Sequence, residues 1–243
     1  MGHRLTDMTA SLDADQVIEL LAGAADPQFR QDMVARYGIH SPQAFGVRMK
    51  HVREIAKRAG TSHELAQQLW ATGWYEARLV ASMVDDPDQV TPQQMDRWCA
   101  DFDSWAIVDT VCFTLFDRTP HAWSRIDAWA TSDAEMVRRA SYALLWSLAN
   151  HDRTSPDELF AARLPLLEAG ASDERRLVHK AVTMALRAIA KRRPALVLDV
   201  AAVAKRLSAS TGAARRVGRA VQRELAREST PSARPTEQGR NQS

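Results

Sequence analysis

Leu177-Val-His-Lys-Ala-Val-Thr-Met-Ala-Leu-Arg-Ala-Ile-Ala-Lys-Arg192 places Val178, Val182, Leu186 and Ile189 at intervals of four, four and three residues. Side chains at that interval share one face of an α-helix, so the segment reads as an amphipathic helix whose other positions hold Lys180, Arg187, Lys191 and Arg192. The same spacing recurs in Val52, Ile55 and Ala56, in Leu65 and Leu69, in Val137, Ala140, Leu144 and Leu148, and in Val217, Val221 and Leu225. Strand-type alternation is almost absent, which makes the expected class all-α. Small polar residues stand between the segments at Ser41, Thr61, Thr91, Ser132, Ser155 and Ser172, several with Glu or Gln three positions on, the pattern of a capping box.

Like segments begin at Arg78, Val108, Val137, Val178 and Ala214, about 30 to 40 residues apart, each preceded by another amphipathic stretch. That is the period of a solenoid built from helix pairs; the weak residue-level similarity leaves a compact irregular bundle as the alternative. In a solenoid the second helix of each pair lines the concave face, which would bring Arg78, Asp109, Arg139, Lys180 and Arg215 onto one groove. The chain's net charge is +2, but residues 171–228 hold 14 Lys and Arg against 5 acids, whereas residues 83–135 hold 3 against 11. A cationic end of this kind attracts a polyanion, most commonly nucleic acid, unless the arginines merely form a solvated face.

Within the acidic half, Trp105-Ala-Ile-Val-Asp109 sets a carboxylate one helical turn from an indole in an otherwise apolar helix. A buried acid there must be paired or do chemistry, because desolvating an unpaired carboxylate costs several kcal/mol. Two cysteines, Cys99 and Cys112, match neither a disulfide framework nor metal-ligand spacing, so no metal site is expected. No run approaches the roughly 20 apolar residues of a membrane span, and the first residues lack an apolar signal core, so the expectation is a cytoplasmic protein. Residues 1–12 and the polar stretch 229–243 read as loose ends around one domain, 13–228.

Five stretches in order resemble the DNA alkylation repair glycosylases of the AlkD type, which are built from HEAT-like repeats. They are Phe45-Gly-Val-Arg-Met-Lys-His-Val-Arg-Glu-Ile-Ala-Lys57, Leu69-Trp-Ala-Thr-Gly-Trp-Tyr-Glu-Ala-Arg78, Asp101-Phe-Asp-Ser-Trp-Ala-Ile-Val-Asp109, Val137-Arg-Arg-Ala140 and the 177–192 segment quoted above. The resemblance runs from about Ala14 to Glu224. It implies a HEAT-like solenoid with a concave basic groove, acting as a monomer on double-stranded DNA that contains alkylated purines. The implied reaction is hydrolysis of the N-glycosidic bond of cationic N3- or N7-alkylated purines, without cofactor. Asp109 would oppose positive charge on the deoxyribose and orient water, Trp105 would lie against the sugar and backbone, and Arg139 would hold a phosphate. Arg48, Lys180, Met184, Arg187, Lys191 and Arg192 are the further DNA-facing positions.

Two departures bear on activity. Met184 stands where the family usually has a second tryptophan, so a polarisable thioether replaces a ring quadrupole. Ala106 stands where many relatives have an acid. Tyr142 and Trp146, one turn apart, are candidates to supply the missing aromatic wall. The competing reading of the whole pattern is a weak or inactive HEAT-like scaffold binding nucleic acid or protein, with Asp109 a structural acid paired to Arg139.

Overall fold

Short polar side chains start several of the helices. The computed structural model describes residues 12–229, so the expected loose ends fall outside it apart from residues 12 and 229 themselves. Asp13 and Gln16 form a reciprocal capping box on α1 (Ala14–Gly23), and Asp26 caps α2 (Pro27–Ala35). After α3 (Met49–Ala59), Ser62 caps α4 (His63–Ala71), which turns into α5 (Tyr75–Val84). Thr91 accepts from the Gln94 amide to open α6 (Pro92–Ala100), and Ser104 accepts from Ile107 to open α7 (Trp105–Thr114). There follow α8 (Ala122–Trp129), α9 (Glu135–His151), α10 (Asp157–Ala161), α11 (Leu164–Gly170), α12 (Arg176–Arg192), α13 (Val197–Ala209) and α14 (Gly212–Ser229). No strand occurs among the described residues, and no helix there is long and apolar enough to cross a membrane.

The caps expected at Ser132, Ser155 and Ser172 do not form, because α9, α10 and α12 begin two to four residues later. Glu174 instead reaches the next helix pair, where it accepts from the Ala213 amide at the start of α14 and from Arg216.

Two rows of helices result. The inner row is α3, α5, α7, α9, α12 and α14, each packed on the next; α4, α8, α11 and α13 form an outer row, each against the inner helix that follows it in the chain. The outer row is joined by stacked indoles and indole hydrogen bonds. Trp70 of α4 lies on Trp98 of α6 at 3.9 Å, and Trp129 of α8 donates to Asp96 of α6 at 2.8 Å. The segments at Arg78, Val108, Val137, Val178 and Ala214 fall on α5, α7, α9, α12 and α14, consecutive members of the inner row. The 30-to-40-residue interval is therefore the helix-pair repeat, and the irregular bundle is set aside. Alanines at 140, 143, 181 and 185, all fully buried, let the two 17-residue helices α9 and α12 approach closely along their length.

One buried acid holds the entry to α3. Glu76 is 0% exposed, and its carboxylate accepts from the backbone amides of Phe45, Gly46 and Val47 at 2.8–3.0 Å. Gly46 adopts a φ of 81° there, and a Cβ would sit 2.6 Å from the Asp26 carbonyl oxygen, so the turn needs glycine. Glu76→Ala would strand three donors, two of them on buried residues. The expected loss is about 3–5 kcal/mol of unfolding free energy, read by urea denaturation with no change in slope.

Candidate functional site

Helix α7 decides the site. Ile107, Val108, Val111 and Cys112 are its buried face, so Trp105, Asp109 and Phe113, one turn apart, emerge together on another face of the inner row. Asp109 is not an unpaired acid. Arg139 of α9 meets it as a fork, Nε to Oδ1 at 3.0 Å and Nη2 to Oδ2 at 2.6 Å, while Nη1 donates to the Leu177 carbonyl of α12 at 2.5 Å. Arg139 is 1% exposed, whereas the Asp109 side chain keeps 15% of its surface open. Burial pushes the Asp109 carboxyl above its ordinary value, and the charges of Arg139 and Lys180 oppose the shift. The fork itself requires both oxygens as acceptors, which the ionised form supplies.

Trp105 is fixed from both sides. Its Nε1 donates to the Tyr37 carbonyl at 3.0 Å, just past the end of α2, and the Lys180 ammonium lies 5.8 Å from its ring centroid. Indole, carboxylate and two cations are thus brought together by α7, α9 and α12, with the chain after α2 closing one edge.

Along α12, Lys180, Met184, Arg187 and Lys191 follow at four, three and four residues on one stripe. Met184 and Arg187 line two adjoining clefts. One, of about 410 Å³, lies between α12 and α14 and includes Arg176, Lys180 and Arg216; the other, of about 220 Å³, adds Trp146 of α9, Lys191 and Glu224 of α14. Arg192 donates to Asn150 at 3.3 Å at the end of the same helix. Arg48 stands apart from this group. It pairs with Asp26 at 3.1 Å and covers the Phe29 ring at 4.7 Å.

Several expectations need correction. Arg139 has no free surface to hold a phosphate; it is a positioning group for Asp109. Arg78 is drawn to the outer row, donating to the Asp101 carbonyl with its guanidinium over Trp70, and Arg215 bonds the Ser210 carbonyl. Of the five residues expected on the groove, Asp109 and Lys180 meet at one site. Tyr142 is buried with its hydroxyl against Gly170, in a different cleft lined by Arg138, Asp173 and Arg175, so it supplies no aromatic wall. Trp146 does face Met184 across the smaller cleft. Arg193, part of the basic cluster at the end of α12, is buried and ties the chain after α9 through Ser155 and Asp157.

Sequence reasoning missed Arg176 and Arg216. Arg176 continues the α12 stripe four residues before Lys180, so spacing alone could have found it. Arg216 comes beside it only because α14 packs on α12.

A family profile described as DNA alkylation repair enzyme matches residues 17–222. One solved structure is described as "A new family of proteins related to the HEAT-like repeat DNA glycosylases with affinity for branched DNA structures". It superposes with a TM-score of 0.74 at 23% identity, over 89% of this chain and 95% of its own, a likeness that shows the HEAT-like fold. No curated protein matches.

The Asp109–Arg139 pair makes a stability prediction. Arg139→Ala leaves a carboxylate in a largely buried site and should cost about 3–5 kcal/mol. The double substitution Asp109→Leu with Arg139→Met removes both charges and should recover much of that loss in urea denaturation. Equal losses in the single and double variants would show that packing, not the orphaned charge, sets the cost.

Proposed function

The chain belongs to the DNA alkylation repair enzyme family, and from that premise we propose that it is a monofunctional DNA glycosylase. Its substrates are cationic N3- and N7-alkylated purines in duplex DNA. The observation that carries the reading is the Asp109 carboxylate, clamped by Arg139 beside Trp105 and Lys180 yet still partly open.

The chemistry follows from the charge on the lesion. An alkylated purine is already a cation, so when the C1′–N bond breaks its electrons return to the ring and the base departs neutral, with no general acid required. Positive charge builds on the sugar instead. A carboxylate held in place before the reaction opposes that charge without reorganising, and the lone pairs that Arg139 leaves free on Asp109 can orient the water that adds to C1′. The proton of that water passes to solvent. Trp105 would lie against the deoxyribose, where its π face favours developing positive charge by roughly 0.5–2 kcal/mol. Lys180, Arg187, Lys191 and Arg192 would contact backbone phosphates, with Arg48 as a more distant contact, and Met184 would provide an apolar surface. The reading calls for no cofactor.

A second reading is favoured by one observation: the structural neighbour is described by its affinity for branched DNA, not by excision. With Met184 in place of an aromatic residue, the chain would then bind DNA without releasing a base.

Excision separates the two. The wild type is expected to release 7-methylguanine and 3-methyladenine from alkylated duplex DNA, and Asp109→Asn to be slower by about 10²–10³-fold. Because the carboxylate is the active form, release should fall as pH drops through the Asp109 pKa. That pKa is raised by burial, so the fall should begin above the ordinary aspartate value of about 3.9, and Asp109→Asn should lack this limb. Release no faster than the spontaneous rate in both proteins would leave only the second reading.

Either reading predicts phosphate contact. Log affinity for duplex DNA should fall linearly with log salt, by roughly 0.9 per phosphate neutralised, and Lys191→Ala should lower the slope by about one contact. A flat salt response would remove the DNA partner altogether.

A further inference from the structure

Resting on the DNA-binding reading above, we propose that the two adjoining clefts of α9, α12 and α14 hold one extrahelical nucleotide of the bound duplex. Its base would lie between Trp146 and Met184, and its phosphate against Arg176, Lys180 and Arg216.

The smaller cleft has the form of a base site. Trp146 is backed by Phe113, stacked at 4.9 Å with 27° between the rings. Phe113 is braced in turn by His151, 4.0 Å away and held by the buried Asp117 at 2.6 Å. The lining therefore combines a fixed aromatic ring with the Met184 thioether, a soft surface that suits a flat π system. At about 220 Å³ the cleft has room for a flat ring the size of a single nucleobase.

At the edge of this cleft a donor and an acceptor stand side by side. Arg187 Nη2 lies 3.8 Å from Glu224 Oε2 and also donates to the Ala220 carbonyl at 3.1 Å, which holds the guanidinium at the cleft. Nucleobases present neighbouring donor and acceptor atoms along an edge, so a guanidinium and a carboxylate at this spacing can satisfy one edge of a base at once. The larger cleft shares Met184 and Arg187 with the first and is rimmed by Arg176 and Lys180, the charge that a nucleotide's phosphate requires, with Arg216 beside them paired to Glu174 at 2.8 Å. Lys180, which also lies over Trp105, makes the subsite continuous with Asp109: Met184 is one helical turn, about 6 Å, further along α12. That is close to the spacing of neighbouring nucleotides on one strand, so the occupant belongs next to the nucleotide that lies at Asp109.

Anisotropy titrations with an unmodified duplex, and with the same duplex carrying a single bulged 2-aminopurine, test the proposal. The wild type should bind the bulged duplex about tenfold more tightly, with quenching of the 2-aminopurine emission as it stacks. Trp146→Leu should bring the ratio close to one, Glu224→Gln should lower it, and Trp146→Phe, which keeps a ring, should retain it. Equal affinity for both duplexes, or a ratio unmoved in Trp146→Leu, overturns the subsite. Competition by free adenosine monophosphate with no gain from the bulge also overturns it, since the cleft would then serve a free nucleotide. Excision measured on the same proteins keeps the claims apart. A bulge preference without base release sinks only the glycosylase reading, and release without a bulge preference sinks only the subsite.

Discussion

Arg139 is a fully buried cation, and the order of the middle of the solenoid follows from that. A guanidinium removed from water costs several kcal/mol unless its donors are met, and here Asp109 of α7 and the Leu177 carbonyl of α12 meet them from opposite sides of α9. One side chain therefore fixes three consecutive inner helices in register. The consequence for chemistry is that the Asp109 carboxylate cannot rotate away. A preorganised charge needs such restraint, and the ion pair that threatens stability if broken is the same one that holds the candidate site in shape.

The rest of the repeat array is tied by the same rule at lower stakes. Arg125 reaches Asp96, Arg163 reaches Asp127, Arg206 reaches Glu168 and Arg216 reaches Glu174, each across 29 to 42 residues of sequence, about one helix pair. Glu76 acts likewise toward the loop before α3. In a quasi-one-dimensional fold each unit packs mainly on its neighbours, and these junctions flank one continuous hydrophobic core that runs through the helix pairs. Exposed pairs among them are each worth little, about 0–1 kcal/mol, whereas the buried Arg139 junction cannot lose one partner without orphaning the other.

This distribution explains what could be read from sequence and what could not. The helical class and the repeat period were legible because apolar spacing is a local property: Val178, Val182, Leu186 and Ile189 announce one face of α12 whatever packs on it. The Trp105–Asp109 alignment was legible for the same reason. The direction of a long polar side chain is not local. Arg78, Arg139 and Lys180 occupy comparable places in successive repeats, yet Arg78 turns to Trp70 in the outer row, Arg139 is buried against Asp109, and Lys180 lies over Trp105. Each outcome depends on which acid or ring the neighbouring repeat presents. The caps failed similarly: Ser132, Ser155 and Ser172 carry the right residue types, but tertiary packing starts the helices later and directs Glu174 to the next pair.

The same junctions alter how the charge of the chain should be weighed. A net charge of +2 suggests a nearly neutral surface, but several acids of the acidic half are engaged by side chains of neighbouring helices. Asp85 is bonded by His63 and Gln94, Asp96 by Arg125 and Trp129, Asp101 by Trp70, and Asp109 by Arg139. Arg187, Arg206 and Arg216 of the last repeats are paired in the same way, whereas Arg219 and Arg223 of α14 are exposed along the helix that borders the two clefts. Arg176, Lys180 and Lys191 gather along α12 on the inner face, near the Asp109 carboxylate that Arg139 holds in place. Lys180 links this face to Asp109, since it lines the larger cleft with Arg176 and its charge acts on the Asp109 carboxyl. In this geometry the two cations favour an anion, while the carboxylate beside them favours a positively charged group.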